Sequence, residues 1–255
     1  LTLPAISVLE SRMRLADPVA LFHARRAVEA ALGRMLASQI KSSLTDENMF
    51  IMAKTDGGRA LLNRLLGLAI AAGDNDAIER AAKQVYDQNM TLSQGALMAL
   101  NHCDHPARAI ALQAFHDRWQ DSPLVMEKWF MMESMSLVSG TVARLGELMA
   151  HPAFDANNPN KLRSVLGAFM SDNPVHFYAD DGSGFDFVGD CLIDIDARNP
   201  QLAARMVLPL TRMAQYGPER CAKMGAVLQK IQKQAQSNDL REVIDKALAD
   251  RPSPA

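Results

Sequence analysis

The feature that most constrains this chain is a repeated signal for the start of a helix. A small or polar residue stands directly before proline at Asp17, Ser122, Asn158, Asn199 and Gly217. Proline suits the first position of a helix, and a preceding Asp, Ser or Asn can accept hydrogen bonds from the first free amides. Between these points apolar residues recur at helical spacing, with almost no alternation typical of strands. The sequence therefore predicts an all-α protein.

Helical periodicity and turn residues predict where the helices lie. They are expected at about 18–44, 58–72, 75–88, 92–101, 106–120, 123–138, 141–150, 159–170, 184–197, 200–214, 218–234 and 239–248. Short connections without an alignable repeat are typical of stacked antiparallel helix pairs. We therefore predict an irregular α-solenoid, or superhelix, of the HEAT or armadillo type. One helical domain is expected over residues 1–255, with a frayed tail from Asp250.

Composition and charge exclude several classes of protein. Of 255 residues, 48% are hydrophobic, which excludes a disordered chain. The 27 Lys and Arg against 29 Asp and Glu leave a net charge of -2, so no nucleic-acid partner is expected. The most apolar window, residues 129–149, contains Glu133, Arg144 and Glu147. It predicts a buried helix pair, and no membrane partner is expected.

The cysteines and the start of the chain bear on its compartment. Cys103, Cys191 and Cys221 are far apart and form no C-x-x-C pair, so neither a disulfide framework nor a structural zinc site is predicted. This usage fits a reducing compartment, and we expect a cytoplasmic protein. The chain begins at Leu1 without Met or a signal-peptide pattern, which suggests an excised piece.

The histidines offer only one cluster that resembles a metal site. His102-Cys103-Asp104-His105 has two histidines three residues apart, but Pro106 starts a new helix and no further ligand is placed. We interpret this cluster as an exposed turn. Isolated histidines elsewhere are interpreted as ordinary core or surface residues.

The segment 173–189, with the sequence NPVHFYADDGSGFDFVG, departs from this generic helical pattern. Gly182 and Gly184 flank Ser183 and give the backbone two positions at which positive φ is possible. A calcium loop or a nucleotide loop is not supported, because ligand spacing and a third glycine are lacking. The remaining interpretation is an Asx turn that caps a helix beginning near Gly184.

Three motifs together carry a family resemblance. They are NP-x-x-F-x-x-x-DGSG-F from Asn173, R-x-x-x-GAF from Arg163 and RNPQ-x-A-x-R from Arg198. Taken together, they resemble the C-terminal domain of bacterial aminopeptidase N, a zinc metallopeptidase of the gluzincin type. The resemblance is strongest over residues 158–223, includes Leu3-Pro4, and is faint across the middle. In that family this domain is a helical superhelix, which agrees with the fold predicted from the residues.

The resemblance also implies which residues contact substrate. Gln201 and Arg205 are one helical turn apart and share a face, and Arg163 lies in another helix that starts with proline. On composition alone they would be ordinary surface residues. The family positions that match Arg163, Gln201 and Arg205 face the catalytic cavity, so the resemblance implies contact with the substrate beyond the scissile bond.

Charge is unevenly distributed near these residues. Residues 180–196 contain six Asp without a basic residue, whereas residues 198–233 contain seven Arg or Lys and one Glu. Two interpretations are open. The two segments belong to neighbouring helices that pair their surfaces, or they meet over a channel.

The predicted function is that of a non-catalytic domain. The family's zinc-binding H-E-x-x-H motif and its G-x-M-E-N segment do not occur in this sequence. The resemblance therefore implies a domain that caps the active-site chamber of a zinc aminopeptidase and influences substrate access and binding. Its partners would be the catalytic domain of the same polypeptide and peptide substrates. No cofactor is expected in this chain, and it is expected to be inactive alone. The alternative is a free-standing α-solenoid adaptor that binds a protein or peptide.

Overall fold

The computed structural model describes residues 2–250 as helices joined by short turns. Over that range no strand is present, and one isolated bridge joins Ala16 to Tyr216. The prediction of an all-α fold is confirmed. None of the described helices is both long and apolar enough to cross a membrane. The predicted tail beyond Asp250 lies outside the described residues.

The helices follow one another closely along the chain. In order they are α1 Ile6–Glu10, α2 Pro18–Met35, α3 Ala37–Ser43, α4 Asp46–Met52, α5 Asp56–Ala71, α6 Asn75–Gln84, α7 Met90–Leu100, α8 Pro106–Trp119, α9 Pro123–Ser134, α10 Thr141–Met149, α11 Pro159–Leu162, α12 Ala168–Asp172, α13 Pro174–Phe177, α14 Ser183–Asp196, α15 Pro200–Met206, α16 Leu208–Thr211, α17 Pro218–Gln234 and α18 Asn238–Ala249. A π-helical turn, Arg163–Gly167, joins α11 to α12, and a 3₁₀ turn, Arg212–Gln215, follows α16.

The described residues form two compact units. The first comprises residues 2–3 and His23–Ser139, and the second comprises Pro4–Phe22 and residues 140–250. The prediction of one domain over residues 1–255 stays a prediction.

The first unit is a stack of helices that are near neighbours in sequence. Helix α5 packs against α6 and α7, and α8 packs against α9. Its core is formed by large apolar side chains that are almost fully buried, among them Leu62, Leu66, Leu97, Phe115 and Phe130. Such pairwise packing of consecutive helices is the arrangement predicted for an α-solenoid.

The second unit is organised around α14. This helix contacts α10, α15 and α17, and α18 packs against α15 and α17. Phe169, Phe177, Phe185, Leu192 and Leu228 are completely buried in its core. Helix α14 therefore forms the rigid support for the surface features of this half of the chain.

The helix starts predicted at proline are confirmed. Helices begin at Pro18, Pro123, Pro159, Pro200 and Pro218. The helices that follow Asp17, Asn158 and Asn199 are capped by the side-chain Oδ1 atoms of these residues. Each Oδ1 accepts hydrogen bonds from backbone amides at N···O distances of 2.9–3.1 Å. Ser122 and Gly217 form no side-chain cap.

Some predicted helices are interrupted. The helix expected over residues 18–44 breaks at Leu36, whose φ of -102° and ψ of 14° leave the helical region. Helix α2 passes so close to α5 that a Cβ atom on Gly33 would lie 2.1 Å from the Leu68 carbonyl oxygen. The break lets α3 turn and pack separately against α5, where Ile40 is buried. Tertiary packing thus overrides a continuous helical pattern.

The helix expected over residues 200–214 divides into α15, α16 and a 3₁₀ turn. Pro209 explains the division, because it has no N–H for the carbonyl four residues earlier and its ring clashes with that carbonyl. That carbonyl belongs to Arg205. The helix predicted over residues 159–170 contains the π-helical turn and continues to Asp172.

Candidate functional site

Arg163 stands at the start of the π-helical turn. Leu162, Val165 and Leu166 are buried and fix the inner face of this segment, while Arg163 is exposed to solvent. The Arg163 Nη1 atom donates a hydrogen bond to Asn160 Oδ1 at 3.1 Å. A π turn inserts one residue into a helix and is frequently found at functional sites. Arg163 is therefore an outward cation on a locally irregular but well-anchored helix.

Gln201 and Arg205 lie on α15, a short helix held firmly from one side. Leu202, Ala203 and Met206 are buried, whereas Gln201 and Arg205 are exposed on the other face. The predicted shared face is confirmed. Arg205 lies in the last turn of α15, where a positive charge interacts favourably with the helix dipole.

The segments that carry these three residues have different packing neighbours. The π turn packs against α10, α11 and α12, and α15 packs against α14, α16 and α18. Helices α10 and α14 contact each other and so connect the two regions. No hydrogen bond or ion pair between described residues joins Arg163 to Gln201 or Arg205. Gln201 and Arg205 thus lie together on α15, whereas Arg163 lies on the π turn, and the two regions are connected through α10 and α14.

Among the described residues, Arg163 and Arg205 have no carboxylate partner, unlike Arg144, Arg212, Arg220 and Lys230 of the same unit. Neither forms an ion pair with any carboxylate in residues 2–250. By contrast, Arg212 pairs with Glu10 at 3.2 Å and Lys230 pairs with Asp190 at 2.5 Å. The charges of Arg163 and Arg205 are therefore available to an anionic ligand.

The acidic and basic segments noted in the sequence pair where α14 and the loop before it meet α17. In addition to the Asp190–Lys230 contact, Arg220 lies 3.5 Å from the Asp180 carboxylate, and Lys223 Nζ donates to the Asp180 carbonyl oxygen. These contacts confirm the interpretation that neighbouring helices pair their surfaces. The channel interpretation stays a prediction.

The loop before α14 contains the predicted Asx turn, but the N-cap residue of α14 is Gly182, which forms no side-chain cap. Asp181 Oδ1 accepts hydrogen bonds from the Ser183 amide at 2.9 Å and from Ser183 Oγ at 2.7 Å. These bonds lower the pKa of the Asp181 carboxyl. Gly182 has a φ of 79°, which favours glycine, and α14 begins at Ser183.

Gly184 is required for a different reason from the one predicted. It does not have positive φ, but its Cα lies against the preceding backbone. A Cβ atom there would be 2.4 Å from the His176 carbonyl oxygen and 2.7 Å from that of Phe177. Glycine at this position allows α14 to pack directly on α13.

Aromatic residues form the base of this loop. Phe177 and Phe185 pack edge to face with ring centroids 5.2 Å apart, and Tyr178 contacts both rings. The Tyr178 and Tyr216 hydroxyls are 2.8 Å apart and share a hydrogen bond in the core. Burial raises the pKa of both hydroxyls, so both remain protonated at neutral pH.

The N-terminal segment also supports the loop. Arg220 pairs with Asp17 at 2.9 Å and donates to the Tyr178 carbonyl oxygen at 3.3 Å. The Ala16 amide donates to the Gln215 carbonyl oxygen at 2.8 Å. Sequence reasoning missed this link, because residues about two hundred positions apart carry no common local signal.

The structure corrects the interpretation of His102. Asp104 and His105 are exposed as predicted, and His105 Nδ1 caps α8, but His102 is half-buried. Its burial, together with the nearby Arg26 and Arg108 cations, lowers its pKa to about 4. Within residues 2–250 no three His, Cys, Asp or Glu side chains converge to hold a metal ion.

The comparisons with known proteins agree with this fold and these motifs. Residues 1–249 match a family of ARM-repeat domains described as the domain of unknown function DUF3458_C. The chain belongs to this family.

More particularly, the chain corresponds to the C-terminal domain of aminopeptidase N, as its motifs predict. Aminopeptidase N of Escherichia coli strain K12 is 32% identical over 254 residues, which are 98% of this chain and 29% of that relative. Aminopeptidase N of Caulobacter vibrioides is 31% identical over 257 residues, covering 97% of this chain and 29% of the relative.

A solved structure gives the same result. The crystal structure of Legionella pneumophila aminopeptidase A in complex with aspartic acid matches with a TM-score of 0.86 and 26% sequence identity. The match covers 98% of this chain and 31% of that one. The chain thus spans less than a third of the length of these relatives.

Proposed function

We propose that this chain is the non-catalytic C-terminal domain of a zinc aminopeptidase that removes N-terminal residues from peptides. In this proposal it caps the active-site chamber of the catalytic domain and contributes to substrate access and binding. Its partners are that catalytic domain, in the same polypeptide, and peptide substrates. The unpaired cysteines are compatible with a cytoplasmic location.

The residues of this chain do not fit a zinc site. No metal-binding cluster occurs among residues 2–250, and the H-E-x-x-H motif is absent from the whole sequence. In the proposed function, zinc is therefore bound by the catalytic domain, and the residues of this chain take no part in the catalytic step.

The observation that supports the proposal is that Arg163 and Arg205 are exposed cations without an ion-pair partner in the described part of the chain. Both are exposed, both lack a carboxylate partner within residues 2–250, and both stand at an irregularity in a helix. A short peptide bound by its amino end presents a free carboxylate at its other end. Arginine recognises such a group well, because its planar guanidinium can donate two parallel hydrogen bonds. Gln201, one turn from Arg205, adds a neutral donor and acceptor.

Substitution of Arg205 tests this role in the full-length enzyme. A hydrogen bond to a charged group contributes roughly 1.5–3 kcal/mol, which corresponds to about one to two powers of ten in binding. Arg205→Ala should therefore lower kcat/KM for dipeptides and tripeptides by about ten- to a hundredfold. An aminoacyl chromogenic amide, which has no carboxylate, should be hydrolysed nearly as before.

Arg12→Ala is a matched control, because Arg12 is also an exposed arginine of the second unit. It should leave both substrate classes unchanged. If Arg205→Ala lowers both classes equally, or lowers the melting temperature by many degrees, Arg205 is a structural residue. If the full-length protein has no peptidase activity, the alternative of an α-solenoid adaptor is favoured.

A further inference from the structure

Asn160 is a hydrogen-bond partner of the Arg163 guanidinium. Its Oδ1 atom accepts the Arg163 hydrogen bond at 3.1 Å, three residues earlier on the same helical segment. We propose that Asn160 is a positioning residue that holds the Arg163 guanidinium ready for the carboxylate of the peptide substrate. This inference rests on the proposed function.

Asn160 is itself held in place by the start of the helix. It follows Pro159, whose ring restricts the backbone, and its amide donates to Asn158 Oδ1 at 2.9 Å. Leu162 is buried immediately after it. The acceptor for Arg163 therefore projects from a fixed first turn and not from a mobile loop.

Gly167 lies one turn after Arg163 on the same face of the π turn. A Cβ atom on Gly167 would lie 3.5 Å from Arg163 Cβ and 4.0 Å from Arg163 Cγ. Because Gly167 has no side chain, the space beside the Arg163 stem stays open, and the hydrogen bond to Asn160 is the restraint on the head of the side chain. A long side chain whose head is already restrained loses less rotamer freedom when a ligand binds.

The uncharged nature of Asn160 matters for an anionic ligand. A carboxylate in its place would orient the guanidinium but would also neutralise its charge and repel the peptide carboxylate. The amide oxygen of Asn160 takes one donor of Arg163 and leaves the remaining N–H groups and the full positive charge available. Asn160 would therefore orient the Arg163 guanidinium without weakening its attraction for the peptide carboxylate.

The test uses the full-length enzyme with dipeptides and an aminoacyl chromogenic amide as substrates. Asn160→Ala should raise KM for dipeptides about three- to tenfold and leave kcat unchanged, because one hydrogen bond that restrains an exposed arginine is lost. Asn160→Asp should be at least as harmful, since the Arg163 charge is then paired. The aminoacyl amide should be unaffected. Asn157→Ala, at an exposed asparagine three residues earlier, is the matched control and should behave as wild type.

A double-mutant cycle separates this inference from the function on which it rests. Arg163→Ala should raise KM for dipeptides about tenfold or more, and Asn160→Ala should add nothing in that background. If Asn160→Ala is as harmful without Arg163 as with it, or acts equally on both substrate classes, Asn160 does not act through Arg163. A strong effect of Arg163→Ala with none from Asn160→Ala overturns the positioning role alone. No effect of Arg163→Ala overturns the assignment of Arg163 and the positioning role together.

Discussion

At the scale of single residues, burial decides the charge state of His102. The ring is half-buried, and the Arg26 and Arg108 cations nearby oppose its protonation, although Glu29 favours it. Together these effects lower its pKa from 6.5 to about 4. His102 is therefore neutral at pH 7, and folding favours the neutral form.

His102 should make the stability of the fold depend on pH. Because its folded pKa lies below its unfolded value, the unfolded chain binds more protons between pH 6.5 and about 4. The free energy of unfolding should fall by about 2 kcal/mol over this window as the pH is lowered, with allowance for partial exposure. Urea denaturation at pH 7 and pH 4.5 measures this loss, which His102→Gln should reduce.

The matched control for this prediction is His105→Asn. Asparagine keeps an acceptor for the Ala107 amide at the start of α8 and leaves His102 in place. This variant should lose stability with falling pH as wild type does. An identical pH dependence in wild type and His102→Gln would show that His102 does not carry the effect.

At the scale of elements, the loop before α14 depends on two glycines with different tasks. Gly182 provides positive φ, and Gly184 permits close backbone contact with α13. An alanine with positive φ is strained by roughly 1–2 kcal/mol, whereas a Cβ atom pushed into a carbonyl oxygen requires backbone movement.

We therefore expect Gly184→Ala to be more destabilising than Gly182→Ala. The first should lower the free energy of unfolding by about 3 kcal/mol and the second by about 1 kcal/mol. The two losses are compared from the urea denaturation midpoints of the variants, provided that the m value is the same in each. Gly146→Ala is the control, since Gly146 lies within α10 with no atom in the way of a Cβ, and it should be neutral or slightly stabilising. If Gly184→Ala is no worse than Gly182→Ala, the close approach is not what requires glycine there.

The elements also show which features the sequence could predict. Helix starts at proline were predictable, because proline and a capping residue are local signals. The break between α15 and α16 also had a local signal, Pro209. The prediction of one helix over residues 200–214 did not take this proline into account. The break at Leu36, which lies where α2 passes close to α5, carried none, and neither did the π turn after Leu162. The short helices α1, α4 and α13 are too brief for periodicity to reveal them.

At the scale of the whole molecule, the chain is an ARM-repeat domain that has no metal site within its described residues. The motifs predicted the family and the surface positions of Gln201 and Arg205, because residue spacing on a helix fixes which side chains share a face. The support of the loop by Asp17 through Arg220, and of Arg163 by Asn160, required the folded structure. Neither contact follows from the pattern of apolar residues.

In the proposed function, this domain binds the carboxyl end of a peptide substrate through its arginines. The most direct test compares a dipeptide with the same dipeptide carrying a C-terminal carboxamide, in the full-length enzyme. The amino end and the scissile bond are identical, so only the charge offered to Arg205 differs. Wild type should prefer the free carboxylate by about ten- to a hundredfold in kcat/KM, and Arg205→Ala should remove most of that preference. Equal rates for the two peptides in wild type, or an undiminished preference in Arg205→Ala, would contradict the claim.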